Sequence, residues 1–128
     1  MSPLVGVWRL VAENAWSAAG EPRPNLYGPM GMGLLSFTHD GRMMAALSDG
    51  RPGPIDGARA FVSYCGAYAF DGARLVTHVD GASDPLFFKE PQVRDARLEG
   101  DRLTLRPPAG FRGASDLVRE LVWERIST

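Results

Sequence analysis

Hydrophobic and polar residues alternate along most of this chain, in short runs separated by clusters of glycine, proline and aspartate. That period-two pattern predicts strands, and no stretch of any length carries helical spacing. The first run, residues 4–11, contains Gly6-x-Trp8; continued to Trp16, it would place Trp8, Leu10, Ala12, Asn14 and Trp16 on one face. Residues 17–25 break it with Gly20, Pro22 and Pro24, and residues 26–32 continue as a loop that is apolar for one. Strands follow over 33–37 and 42–48, joined by Thr38-His39-Asp40-Gly41, a turn whose Asp-Gly pair supplies positive φ angles. A loop over 49–57 leads to a short helical turn expected around 58–62. From there Tyr64, Gly66, Tyr68 and Phe70 alternate with Ser63, Cys65, Ala67 and Ala69. Asp71-Gly72 turns the chain into a strand ending at Asp80, and the loop over 81–91 is apolar at Leu86-Phe87-Phe88. A hairpin over 92–98 and 102–106, a loop over 107–113 and a last strand over 116–126 complete the pattern.

Eight strands joined largely by turn-rich hairpins predict an all-β fold, an eight-stranded antiparallel up-and-down barrel, with a two-sheet sandwich as the other compatible arrangement. Because the chain starts and ends on strands, pairing the two would close the sheet and remove its unpaired edges. Eight strands enclose an interior that side chains fill or that holds one small ligand. At 128 residues, the whole of 1–128 is expected to form a single domain.

Composition narrows the function classes. The formal net charge is −1 and the arginines are scattered between acids, which gives no nucleic-acid footprint. No apolar run approaches the roughly 20 residues that span a bilayer, and the N-terminus lacks a charged region followed by an apolar core, so neither membrane partner nor signal peptide is expected. With a single cysteine, Cys65, and no export signal, a cytoplasmic location is expected, with Cys65 as a small core residue. Two histidines and one cysteine without ligand spacing predict no metal site, and nothing calls for a cofactor.

Few residues are left to carry chemistry. His39 reads as a solvated turn residue, whereas His78 lies within a strand whose two faces are equally mixed, so its direction stays open. Arg94 alternates with Ala96 and Leu98 and would point inward with them. An inward guanidinium needs an internal carboxylate (Asp80, Asp95 or Glu120) or an anionic group on a ligand. Tyr64 and Tyr68 share a face with Gly66, which leaves room beside them, and a buried tyrosine hydroxyl can donate to a ligand carbonyl. Trp16 and Tyr27, with Phe87 and Phe88, would suit an apolar mouth. The acid pairs Asp80/Asp84 and Glu99/Asp101 read as turn residues.

Gly6-x-Trp8 in the first strand, with Arg125 in the last, resembles the signature of lipocalins and wider calycins. More closely, the chain resembles the short bacterial lipocalin-like domains that begin with a Gly-x-Trp-Arg-Leu run. The matching stretches are Gly6-Val7-Trp8-Arg9-Leu10, residues 33–43, Tyr64-Cys65-Gly66-Ala67-Tyr68, Val76-Thr77-His78-Val79, Gln92-Val93-Arg94 with residues 98–105, and Trp123-Glu124-Arg125. The resemblance implies an eight-stranded barrel whose closed end is built by Gly6, Trp8 and Arg125. Most such domains carry no assigned activity, and some accompany secondary-metabolite pathways. Secreted lipocalins differ in having disulfide partners and an export signal.

The expected function is binding of a small, largely apolar molecule, bearing a carboxylate or carbonyl, by Arg94, His78, Tyr64, Tyr68, Trp16 and Tyr27. One alternative is a cofactor-independent isomerase, cyclase or lyase in which Arg94 or Tyr64 stabilises an oxyanion and His78 moves the proton. Another is a filled barrel acting as an interaction module. The small molecule is the expected partner, with a second copy of the chain left open.

Overall fold

The computed structural model describes residues 2–108 and 117–128. Among these residues eight strands form a closed antiparallel barrel in chain order. They are β1 (Gly6–Ser17), β2 (Gly31–Phe37), β3 (Arg42–Asp49), β4 (Phe61–Phe70), β5 (Arg74–Ala82), β6 (Gln92–Glu99), β7 (Arg102–Arg106) and β8 (Leu117–Ser127). The first and last strands pair from Val7↔Ser127 to Ser17↔Leu117, so the expected closure is present and the sandwich is not. No helix among the described residues is long and apolar enough to cross a membrane. Part of the expected loop over 107–113, and the start of the last strand at Asp116, lie outside the described residues.

The connections sort the barrel into two ends. Tight turns join β2 to β3, β4 to β5 and β6 to β7, all at one end, where Gly41 at φ 91° takes the left-handed conformation that glycine adopts without strain. The long connections, residues 18–30, 50–60 and 83–91, all lie at the opposite end. Within 83–91, Asp84 accepts from the Leu86 amide and starts a 3-10 turn over Pro85–Phe88. The helical turn expected around 58–62 is not formed. Arg59 donates to the carbonyl oxygens of Asp49 (2.7 Å), Arg51 (2.8 Å) and Gly53 (2.6 Å), holding the segment extended until β4 begins.

The turn end is closed by an apolar floor. Trp8 is fully buried and its indole N–H donates to the Leu4 carbonyl at 2.9 Å. The Arg125 guanidinium stacks 4.3 Å above the Trp8 ring, donates to the carbonyl oxygens of Pro3 and Val5, and pairs with Asp101 at 2.8 Å. Gly6 sits where an added side chain would collide with the Ser127 carbonyl, which is why this position must be bare. Leu35, Phe37, Met43, Leu75 and Leu103 pack around Trp8 as the alternation predicts.

Three register shifts interrupt the pairing; one leaves Ile126 extra in β8, where Val7 faces Ser127 and Trp8 faces Arg125, and the other two are bulges in β1 and β5. Leu10 faces Trp123 and Ala12 faces Val122, so Val11 is an extra residue in β1. Beyond it the faces exchange: Ala15 and Ser17 are buried, and Glu13 has only 3 % of its side chain exposed. This corrects the single face expected from Trp8 to Trp16. The second bulge lies in β5, where Cys65 pairs with Gly81 and Gly66 with Val79, leaving Asp80 extra. A side chain at Gly66 would strike the His78 carbonyl. Gly66 therefore serves a close backbone approach at this bulge, not the cavity expected beside Tyr64.

Candidate functional site

The inward-facing residues of the loop end are unlike those of the floor. Glu13 from β1, Thr77 from β5, Gln92 and Arg94 from β6 and Arg119 from β8 occupy positions whose neighbours in register face the interior. Gln92 is fully buried and Thr77 is 1 % exposed. Burying so many polar groups is unfavourable unless each finds a partner, so the arrangement is costly for a barrel that needs only to be packed.

Glu13 anchors the group. Its carboxylate accepts from Arg119 at 2.6 Å and from the backbone amides of Leu26 at 2.9 Å and Tyr27 at 3.2 Å. One acid thus ties β8 to the 18–30 loop and swings Tyr27 into the barrel, where it is 4 % exposed. Burial pushes the Tyr27 hydroxyl up to about 12, helped by the Glu13 carboxylate and Tyr64 and opposed by the guanidinium groups of Arg119 and Arg94. Tyr27 is therefore a neutral hydrogen-bond donor throughout the physiological range. The raised value favours folding below about pH 10 and loses that contribution as pH rises towards 12. In a phenolate absorbance titration of the folded protein, one tyrosine is expected to ionise near pH 12, and that phase should vanish in Tyr27→Phe. A phase that survives the substitution would contradict this placement.

The other loops complete the end. Phe87 is buried from the 83–91 loop and stacks on Tyr64 with ring centroids 5.3 Å apart. Asp49, at the rim, accepts from Arg51 through both carboxylate oxygens, which holds its carboxyl down at about 2. Regular pairing of β1 with β2 runs only from Gly6↔Phe37 to Arg9↔Leu34, and β2 bears glycine at 31 and 33. Where the strands part, a cleft of about 260 Å³ opens, lined by Leu10, Glu13, Asn25, Pro29, Met30 and Gly31. A separate groove of about 380 Å³ lies along β6, β7 and β8, bordered by Asp95, Arg97, Arg106 and Glu120.

Of the residues expected at the site, Arg94, Tyr64 and Tyr27 come together at this end. Arg94 donates to the Val93 carbonyl at 2.8 Å and approaches Gln92 Oε1 at 3.4 Å. The carboxylates offered as its internal partners hold other arginines: Asp80 holds Arg42, Asp95 holds Arg74 and Glu120 holds Arg106. Three expectations are corrected. His78 is exposed beside Ala67 on the outer wall, because its neighbour Thr77 takes the inward position opposite Tyr68. Trp16 lies on the outer wall beyond the β1 bulge, with Arg106 5.3 Å from its ring. Tyr68 belongs to the turn end: it packs edge-on against Phe37 at 4.9 Å and donates to the Thr38 carbonyl at 2.9 Å. Cys65, expected in the core, is half-buried and lies 3.7 Å from Asp80 Oδ1.

Sequence reasoning missed Glu13, Arg119, Thr77 and Gln92. Glu13 was the most accessible of these, as a lone acid inside the first apolar strand.

An eight-stranded closed meander with a Trp–Arg floor and long loops gathered at the other end is a calycin-type barrel. The lipocalin-like domain family matches residues 5–126, and the chain belongs to that family. No curated protein matches it. The fold is thus that of a ligand-binding barrel in general, and which ligand it takes must be argued from its own residues.

Proposed function

We propose that the protein binds a small, largely apolar molecule carrying a carboxylate or carbonyl, held at the loop end of the barrel. The observation that carries this reading is the division of the interior. An apolar floor lies at one end, and polar side chains with a neighbouring cleft lie under the loops at the other. An amphipathic ligand would match both parts. The cleft of about 260 Å³ falls just below the 300–1,000 Å³ usual for ligand sites. Outward movement of the 18–30 loop, which Glu13 pins, would enlarge it. Arg94 would meet the acidic or carbonyl oxygen, with Tyr64 beside it as a second donor. The catalytic alternative gave the proton to His78, which lies on the outer wall, and this favours the binding reading.

The test is decanoate binding measured by calorimetry, with thermal melting alongside. Arg94→Met, which keeps the aliphatic stem, is expected to weaken binding at least tenfold while moving the melting temperature by only a few degrees. A large loss of stability with unchanged affinity would instead make Arg94 a structural residue.

A further inference from the structure

The outer wall of the barrel is divided by charge. Among the described residues, β6, β7 and β8 carry ten charged side chains, whereas β2, β3 and β4 carry two, Arg42 at the turn end and the buried Asp49 at the rim. The outer face of those three strands bears large apolar side chains instead. Met32, Leu34, Met44 and Phe61 are each between 44 % and 59 % exposed. An antiparallel sheet facing water ordinarily turns polar residues outward, so alternation does not account for them. They are also neighbours. Met32 and Phe61 flank Ser48 in one cross-strand row, Leu34 lies in the next with Ala46 and Ser63, and Met44 stands one row nearer the turns. Single exposed hydrophobics are ordinary, but a contiguous set marks a surface that something covers.

We propose that this face is the contact surface between two copies of the chain, related by a two-fold axis. The charges at its margins are already paired, Arg42 with Asp80 at 2.7 Å on one side and Arg9 with Glu124 at 3.0 Å on the other. An uncharged face offers no complementarity to a phosphate backbone or a lipid headgroup, and its natural partner is a surface equally apolar and uncharged. A second copy presents one. The relief is self-complementary as well, since Leu34 and Met44 project beside hollows at Ala46, Ser48 and Ser63, as a contact using the same patch on both subunits requires. The area suffices. β3 is about 27 Å long and the four strands from β1 to β4 are about 19 Å wide, so the face covers roughly 500 Å². Two such faces together reach the roughly 1,000 Å² expected of a specific interface. A net charge of −1 adds little repulsion between copies. The contact lies on the outer wall, so it stands apart from what the interior binds.

The experiment is sedimentation velocity of the full chain across the micromolar range. The mass is expected to rise with concentration from the 13.9 kDa of one chain towards twice that value. Leu34→Glu and Met44→Glu, both at outward positions, should each weaken association at least about tenfold by bringing unpaired charge into the contact. Arg97→Ala, on the charged flank, should associate like the wild type. A measurement on the unaltered protein goes with it: the methyl resonances of Met32 and Met44 should shift with concentration, while that of Met43, which is buried in the core, stays still. A monomer at every concentration would overturn the proposal. So would association that leaves the Met32 and Met44 methyls unmoved or survives both glutamate substitutions, since either places the contact elsewhere.

Discussion

Replacing Trp8 by alanine is expected to destabilise the protein by about 3–5 kcal/mol, the range for deleting a fully buried large aromatic. Three losses combine. The ring fills the floor among Leu35, Phe37 and Leu103, its N–H satisfies the Leu4 carbonyl, and its face supports the Arg125 guanidinium. Without the ring, Arg125 keeps Asp101 but loses the surface on which it lies, and the residues 3–5 that it gathers are released. Denaturant unfolding measures the cost directly, and a drop in melting temperature of roughly 10–20 °C should accompany it. Trp8→Phe should recover part of the loss, since it restores ring volume without the donor. A nearly neutral alanine variant would mean that the floor does not hold the barrel together.

Glu13→Ala is expected to produce the second-largest effect, about 2–4 kcal/mol. Removing one partner of a fully buried ion pair costs 3–5 kcal/mol. Here Glu13 is 3 % exposed but Arg119 is 24 % exposed, so water recovers part of the loss at the arginine. The effect has a location as well as a size. The amides of Leu26 and Tyr27 both lose their acceptor, so their hydrogen exchange should accelerate while the floor strands stay protected. Glu13→Gln keeps an acceptor oxygen but not the charge and should fall between. Unchanged exchange at Leu26 and Tyr27 would show that Glu13 does not hold the 18–30 loop.

The strands were legible because alternation, turn residues and the Gly-x-Trp/Arg125 signature pointed to one architecture. Arg94 was legible for the same reason, since Ala96 and Leu98 on its face are inward residues in an unbroken strand. The first strand failed at Val11. Beyond Leu10 both faces of β1 mix apolar and polar residues, Ala12, Asn14 and Trp16 on one and Glu13, Ala15 and Ser17 on the other, so nothing in the pattern revealed the exchange. One unseen extra residue therefore lost Glu13 and kept Trp16. His78 was ambiguous because Thr77, its inward neighbour, is itself polar. Direction there is set by pairing with Tyr68 across to β4, a long-range contact that local patterning does not contain. The close seating of the Trp123 benzo edge against Gly33 is a property of three-dimensional packing that local patterning does not contain.

The central claim, that the loop end holds a small amphipathic molecule, is tested most directly by native mass spectrometry under gentle desolvation. The protein would be examined as purified from its own host and again after incubation with decan-2-one and decanoate. The account predicts a discrete added mass on the folded protein, reduced in Arg94→Met. Bare protein under both conditions, from wild type and variants alike, would contradict it and favour a barrel whose interior serves only its own packing.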